Sequence, residues 1–499
     1  MSLQFITGNS GNGKTKYLFN RIVKEAKANP RDNYLVIVPE QFTMQTQRQL
    51  VDLSENKAIM NIDVLSFKRL AYRVFDELGI TNLTVLEETG KNLVLRKLAA
   101  QEADKLGVIG RNLNRIGYIS EVKSLLSELV QYNISPEELG RYIASGRLSD
   151  TLSDKLKDVL VLYEAFEKFM QDKYITAEEI LNVLSNVAEE SAILRNSVIA
   201  FDEFTGFTPI QNQLIKKLFV ISKKIYVTLT IDCREDIFKS RGMQELFDMP
   251  KRTVKSLTEM AAFYGIEVEE PIILDKNYRL AENEELSFME QQLFRKRRCS
   301  FEKVPKHIHI DCLRDPKQEL TKIARRINEL VRNENLRYRD IAIVTGDVNI
   351  YAGYVREIFD KYNIPYFIDA TQEILFHPFI EFIRSIPDIA AQNFSADAVF
   401  RFLRCGFSEL LDSEIDVLEN YVLACGVRGK SAWDKKWVRL PKHKAGYDLE
   451  LLNQSREYIM ELLKPVYQVF SDKKSTVKDY VLAIYKPVSY THLRAHETS

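Results

Sequence analysis

The chain has 499 residues, too many for a single hydrophobic core and enough for roughly three or four domains. With 45% hydrophobic and 28% charged residues it has the composition of an ordinary globular protein, not of a fibrous, disordered or membrane-embedded one. Lys plus Arg and Asp plus Glu both number 70, so composition lends no support to a strongly basic nucleic-acid binder. The five cysteines are scattered singly without a C-x-x-C pair, which argues against a disulfide framework and against a zinc site.

The N-terminus, MSLQFITG, has no basic stretch followed by an apolar one, so no secretory signal is expected and the chain is placed in the cytoplasm. No run approaches the ~18 uninterrupted apolar residues that a membrane helix needs. LQFIT predicts a strand, KTKYLFNRIVKEAKA a helix, YLVIVP a second strand, and a helix follows near Ser66 to Leu78. Short apolar strands alternating with amphipathic helices predict a parallel sheet covered by helices, an α/β fold. From about Glu87 to Glu190 the apolar spacing becomes helical throughout, as in NLVLRKLAA and VLVLYEAFEKFM. Strands return in NSVIAFDEF and KKIYVTLTI, so the helical stretch reads as an insertion within one α/β domain.

A second α/β region is expected from about Glu270, with strands at HIHIDCL, DIAIVT and PYFIDA and a helix from Lys317 to Asn333. From about Ala390 the chain reads as helical again. The expected division is therefore 1–85 and 191–269 as two parts of a first domain, with 86–190 inserted between them. A second domain at 270–390 and its helical insertion at 391–487 follow. The last run, 488–499, lacks any apolar period, looks foreign, and is left out of the fold reasoning.

Gly8-Asn9-Ser10-Gly11-Asn12-Gly13-Lys14-Thr15 matches the phosphate-binding loop G-x-x-x-x-G-K-S/T at every fixed position, between a predicted strand and a predicted helix. Its glycines let backbone N–H groups face phosphate oxygens, Lys14 brings a cation to the β/γ-phosphates, and Thr15 offers a hydroxyl to Mg²⁺. In VIAFDEF an apolar strand ends in Asp202 and Glu203. That order suits a Mg²⁺ ligand followed by a water-orienting carboxylate, which makes Lys14 and Glu203 the candidates for ATP hydrolysis. An ordinary buried strand ending in two acidic residues is the plainer alternative.

Further segments carry a resemblance. YLVIVPEQFT (Tyr34 to Thr43) and IDVLSFKRLA (Ile62 to Ala71) resemble motifs by which superfamily-one helicases touch single-stranded DNA, through Thr43 and Ser66 here. LDKNYRLAENEEL resembles the helicase motif whose arginine reaches the γ-phosphate, which implies that role for Arg279. With DEFTGFTPIQ, IPYFIDATQEILFHPFIEFI and ENYVLACGVRGKSAW, the wording is similar to the AddB family, the B subunits of AddAB-type ATP-dependent helicase/deoxyribonucleases. The likeness runs to about residue 487.

This resemblance implies two RecA-like motor domains with helical insertions, ATP and Mg²⁺ as ligands, an AddA-type partner in a heterodimer, and double- and single-stranded DNA as substrate. It also implies processing of DNA ends for homologous recombination, with the helicase-like body implicated in Chi recognition. A nuclease domain and a four-iron four-sulphur cluster are implied only for the full-length protein, beyond residue 499, and none of the cysteines here matches the cluster ligands. Two departures stand out. Only Leu3 to Thr7 form a segment before the loop, too little for an adenine-recognition motif. TIDCREDIFKSRG also lacks the glycine and glutamine of the motif that couples ATP to DNA. An actively translocating superfamily-one helicase is therefore the alternative, and a DNA-binding scaffold the first reading.

RGKSAWDKKWVRLPKHK (Arg428 to Lys444) carries seven Lys/Arg and both tryptophans, Trp433 and Trp437. It is a candidate strand-binding element, because aromatic faces stack bases and cations track phosphates. The four-residue spacing equally suits two tryptophans packed into a core from one helix.

Overall fold

The computed structural model describes residues 1–485, apart from 82–83, 109–115, 146–147, 172–173, 295–298, 371–373, 442–445 and 473. The foreign-looking 488–499 run therefore lies outside the described residues. The chain divides into a first unit, Met1–Ile310, and a second that begins at Asp311.

Seven strands form the sheet of the first unit: β1 (Ser2–Gly8), β2 (Tyr34–Ile37), β3 (Ile62–Leu65) and, after a short separate pair, β6 (Val198–Phe201), β7 (Lys224–Thr230), β8 (Glu267–Val268) and β9 (Ile272–Leu274). The order is β3-β2-β6-β7-β1, with β8 and β9 both on the far edge of β1, and all pairings are parallel. Strands buried on both faces must be apolar almost throughout, and these are. Leu3, Phe5, Leu35, Ile37, Ile199 and Val227 pack on one face against the helices Phe67–Leu78, Pro209–Ile221 and Asp248–Phe263. On the other face, Ile6, Val36, Ala200 and Tyr226 pack against Lys14–Ala28 and Thr43–Leu53.

Because β2 pairs directly with β6, residues between them return to the same sheet, as an insertion must. The short pair β4 (Val85–Leu86) and β5 (Ile175–Thr176) closes its neck. Beside it the buried Lys91 bonds the carboxylates of Glu88 and Glu178 at 2.9 and 2.7 Å. Between the two neck strands the helices enclose a core of their own, including Leu95, Val122, Leu162 and Phe166. The final helix of the expected insertion, Ile180–Val187, instead packs Ile180 and Leu184 on the main sheet.

Two expectations are corrected. The boundary falls after Ile310 rather than at 270, because β8 and β9 complete the first sheet and the chain after them folds back onto it. In the second unit the helices Pro316–Asn333 and Val348–Lys361 form and pack on a small core around Leu320, Ile327 and Phe359. The strands expected at HIHIDCL, DIAIVT and PYFIDA do not form, since no described segment pairs with them and a parallel strand takes its hydrogen bonds from neighbours. The helices from Pro378 onward enclose a further apolar core, with Phe382, Phe402, Leu418, Tyr421 and Ile459.

Candidate nucleotide site

In open parallel sheets, ligands sit at the carboxyl ends of the strands. Four such ends converge here. The loop Gly8–Gly13 follows β1, Asp202 and Glu203 follow β6, Thr228 and Thr230 finish β7, and Asn277 to Arg279 follow β9. Ser10, Lys14, Thr15, Glu203, Tyr278 and Arg279 are among the residues that line a common cavity of 750 Å³.

The loop is shaped by its glycines. Gly11 and Gly13 have φ of 90° and 80°, in the left-handed region where a side chain is strained. A Cβ on Gly11 would also come within 2.7 Å of Asn277 Oδ1. Gly13 starts the helix Lys14–Ala28 with no side-chain cap, so the first-turn N–H groups are left for an anion. Lys14 Nζ donates to the Gly8 and Asn9 carbonyls, each at 3.0 Å, and spans the loop from within. Burial lowers the Lys14 pKa from its ordinary value, against the raising effect of Glu203 and Asp202, and Arg279 lowers it further.

Asp202 is 1% exposed. Thr228 donates its hydroxyl hydrogen to one carboxylate oxygen, while the other, Oδ2, is buried with no hydrogen bond to the described residues. Burial pushes the Asp202 pKa up; Glu203 adds to this, while Thr228 and Thr15 oppose it. A buried carboxylate oxygen with an unused lone pair beside a threonine hydroxyl is what a hard cation would satisfy. Glu203 lies 3.4 Å from Thr15 Oγ1 and has φ of 65°, an unusual backbone for a glutamate and of the kind found where geometry serves a site. Among the described residues, this site included, no three or more His, Cys, Asp or Glu are grouped as a metal site. The five cysteines are free thiols, and Cys299 and Cys312 are exposed.

The N-Y-R segment is laced onto the loop. Asn277 Nδ2 donates to Ser10 O at 3.0 Å, Tyr278 N to Gly11 O at 3.0 Å, and Arg279 Nη1 approaches Ser10 Oγ at 3.4 Å. Tyr278 was not singled out in the sequence, yet it is 65% exposed and forms part of the cavity wall. Thr228 was missed too, although its period-two relation to Tyr226 and Thr230 put it at the right strand end. The segment Thr230–Gly242 is held by an ion pair of its own and by another to the helix Asp248–Phe263. Asp232 pairs with Arg234 at 2.7 Å, and the buried Lys251 pairs with Glu235 and Glu245 at 2.7 and 2.6 Å.

The remaining candidates lie elsewhere. Thr43 and Ser66 are both 4% exposed and both bond to Glu40, Thr43 through the backbone carbonyl and Ser66 through the carboxylate. Ser66 also caps the helix Phe67–Leu78 by accepting from Arg69 N at 3.3 Å. Their hydroxyls are thus engaged inside the protein. Trp433 is 0% and Trp437 7% exposed, their rings 5.2 Å apart in the core of the second unit. The expected stacking face for bases is corrected, because the tryptophans serve packing.

A glycine loop between a first strand and a helix, facing an acidic pair at the end of a parallel strand one place removed in the sheet, is the plan of the P-loop nucleotide-binding class. A family model described as "ADDB, N-terminal" matches residues 5–290, and the chain belongs to that family. It is 38% identical to the B subunit of the ATP-dependent helicase/deoxyribonuclease of Lachnoclostridium phytofermentans, over 99% of this chain and 43% of the relative. It is 33% identical to the same-named proteins of Clostridium tetani and Caldanaerobacter subterraneus, over 97% of this chain in both cases and 43% and 42% of those relatives. The chain thus spans under half the length of these relatives. Among the described residues no helix is long and apolar enough to cross a membrane.

Proposed function

We propose that this chain binds ATP with Mg²⁺ as the helicase-like part of a B subunit that works with an A-type subunit on DNA ends in the cytoplasm. The observation that carries the reading is the convergence of the phosphate loop, Asp202, Glu203 and Arg279 on one cavity. The relatives' names support the helicase/deoxyribonuclease assignment, and their naming as B subunits supports a partner chain.

Lys14 exchanges its two loop carbonyls for phosphate oxygens. Thr15 and Asp202 hold the cation, Glu203 orients water, and Arg279 faces the outer phosphate. Tyr278 offers an aromatic face to the base. Mg²⁺ held by Thr15 and Asp202 would supply positive charge to the phosphates. Because Thr230–Gly242 lacks the glycine and glutamine of the coupling motif and is tied by ion pairs within itself and to Lys251, the site holds nucleotide without driving unwinding. The body then acts as a DNA-binding scaffold, in keeping with a role in Chi recognition during recombinational repair.

Two measurements test this. Titration of a fluorescent ATP analogue with Mg²⁺ should show Lys14→Ala binding ~10–100-fold more weakly than the parent, the worth of one or two charge-assisted hydrogen bonds. Equal affinity sinks the nucleotide site. Reconstituted with an A-type subunit, the Lys14→Ala complex should keep most of its unwinding rate. A loss as large as that from the same change in the A-type subunit's own loop would instead establish a translocating motor here.

A further inference from the structure

Asn9 occupies one of the variable positions of the phosphate loop, where the motif asks only for backbone. Here its side chain is 4% exposed and fully used. Its Oδ1 accepts from Cys233 N at 3.0 Å, and its Nδ2 donates to the Glu290 carboxylate. The amide orientation is forced, because a backbone N–H can only donate and a carboxylate can only accept. Cys233 belongs to the segment after β7 where a coupling motif would fall, and Glu290 to the helix Glu284–Gln292 that follows the N-Y-R segment. Those two elements also approach each other directly, Arg234 Nη2 lying 3.5 Å from Gln291 O. The main chain of Asn9 faces the other way, its carbonyl accepting from Lys14 Nζ at 3.0 Å and Asn12 N at 3.2 Å.

We infer that Asn9 is a positioning residue that links occupancy of the phosphate loop to the Cys233 segment and the Glu284–Gln292 helix. The inference rests on the nucleotide reading above and deepens it. When phosphate draws Lys14 away from the Asn9 carbonyl, the residue whose side chain holds both outer segments loses an internal tether. The coupling is reciprocal, so the state of those segments sets the affinity of the loop. No other side chain of similar size does this. Aspartate cannot donate to Glu290, and serine presents a single atom where two are needed.

The test exploits the near-identical shapes of amide and carboxylate. Asn9→Asp sets two carboxylates against each other, and adding Glu290→Gln restores one donor and one acceptor with the polarity reversed. In the parent, the fluorescent ATP analogue with Mg²⁺ should slow hydrogen exchange at Ile231–Phe238 and across Glu284–Gln292. Asn9→Asp should weaken the analogue by about tenfold, the worth of a lost hydrogen bond to a charged group, and abolish that remote protection. The double variant should recover both. The inference is overturned if Asn9→Asp binds and protects like the parent, or if the double variant, with parental circular dichroism, stays as impaired as the single one. Lys14→Ala separates the two readings. A parent no better than Lys14→Ala at binding the analogue defeats the nucleotide reading and this inference together. A parent that binds well beside an unaffected Asn9→Asp defeats the inference alone.

Discussion

Ile6, Val36 and Ile199 are fully buried between two helical layers, whereas Ile310 and Val344, in segments equally rich in β-branched residues, are 94% and 93% exposed. The first set lies in strands with parallel partners on both sides, and the second in extended chain that pairs with nothing described. The helices do not divide this way. Those of both units form, because a helix closes its hydrogen bonds within a few residues while a parallel strand depends on a partner elsewhere in the chain. One of the two partners of β2 is β6, with Tyr34 aligned to Val198 across the whole helical insertion.

The largest expected effect bears on that contrast. Amides of central strands, such as those of Phe5 and Val227, exchange only on global or near-global opening. Those of Ile343 and Val344 should exchange almost as in an unfolded chain, faster by roughly a thousandfold or more after correction for intrinsic rates. Slow exchange at Ile343 and Val344 would show that they are paired in solution and would break the contrast.

This also marks what the sequence could disclose. The phosphate loop was legible because its function lies in the backbone, which demands glycine at fixed places. The acidic strand end was legible because burial on both faces makes β6 an apolar run that stops abruptly at Asp202. What stayed hidden depends on distant partners: Thr228 against Asp202, the N-Y-R segment laced over Ser10 and Gly11, and Glu40 between Thr43 and Ser66. For Trp433 and Trp437 the basic surroundings suggested DNA, and the helical spacing suggested a core. Burial decides for the core.

The second unit can be tested through those tryptophans, the only two in the chain, so their fluorescence reports that unit alone. Trp433→Ala should destabilise it by ~3–5 kcal/mol in denaturant unfolding followed by Trp437 emission. Trp433→Phe should cost much less, since the buried Nε1–H of Trp433 has no acceptor among the described residues. A Trp433→Ala variant as stable as the parent would mean that the ring lies outside the core.

A smaller effect is expected at the site of the first unit. The pKa of Asp202 is raised above its ordinary 3.8 by burial, so the ionised carboxylate weakens the fold. The sign follows directly. The penalty is absent below the unfolded-state pKa, grows as pH rises towards the folded-state value, and is constant above it. Asp202→Asn should therefore stabilise the nucleotide-free chain at neutral pH and leave acid stability nearly unchanged. It should also remove the Mg²⁺ dependence of analogue binding. Thermal scans at pH 7 and in acid, with and without Mg²⁺, check both, and a destabilised Asp202→Asn at pH 7 would contradict the buried-charge account.

The smallest effect concerns Ser66, where a DNA contact and a structural role make different forecasts. Its hydroxyl caps the helix Phe67–Leu78 and donates to Glu40, the carboxylate that ties the β2 loop to the β3 loop. The Ser66 hydrogen bond is the largest influence holding the Glu40 pKa below its ordinary 4.5, with Arg69 adding to it and partial burial opposing. A depressed carboxyl contributes stability that is present above the unfolded-state pKa and is lost as pH falls through the folded-state value. Ser66→Ala should therefore lower stability at neutral pH, by about 0.5–1 kcal/mol from the cap alone. It should also flatten the loss of stability below pH 4.5, because Glu40 then titrates nearer its ordinary range. Glu40 is about half exposed, so solvent screens this part and the change in slope should be modest. Urea midpoints for parent and Ser66→Ala between neutral pH and acid make the comparison. Parental stability at every pH, together with weakened single-stranded DNA binding, would return Ser66 to the role its motif first suggested.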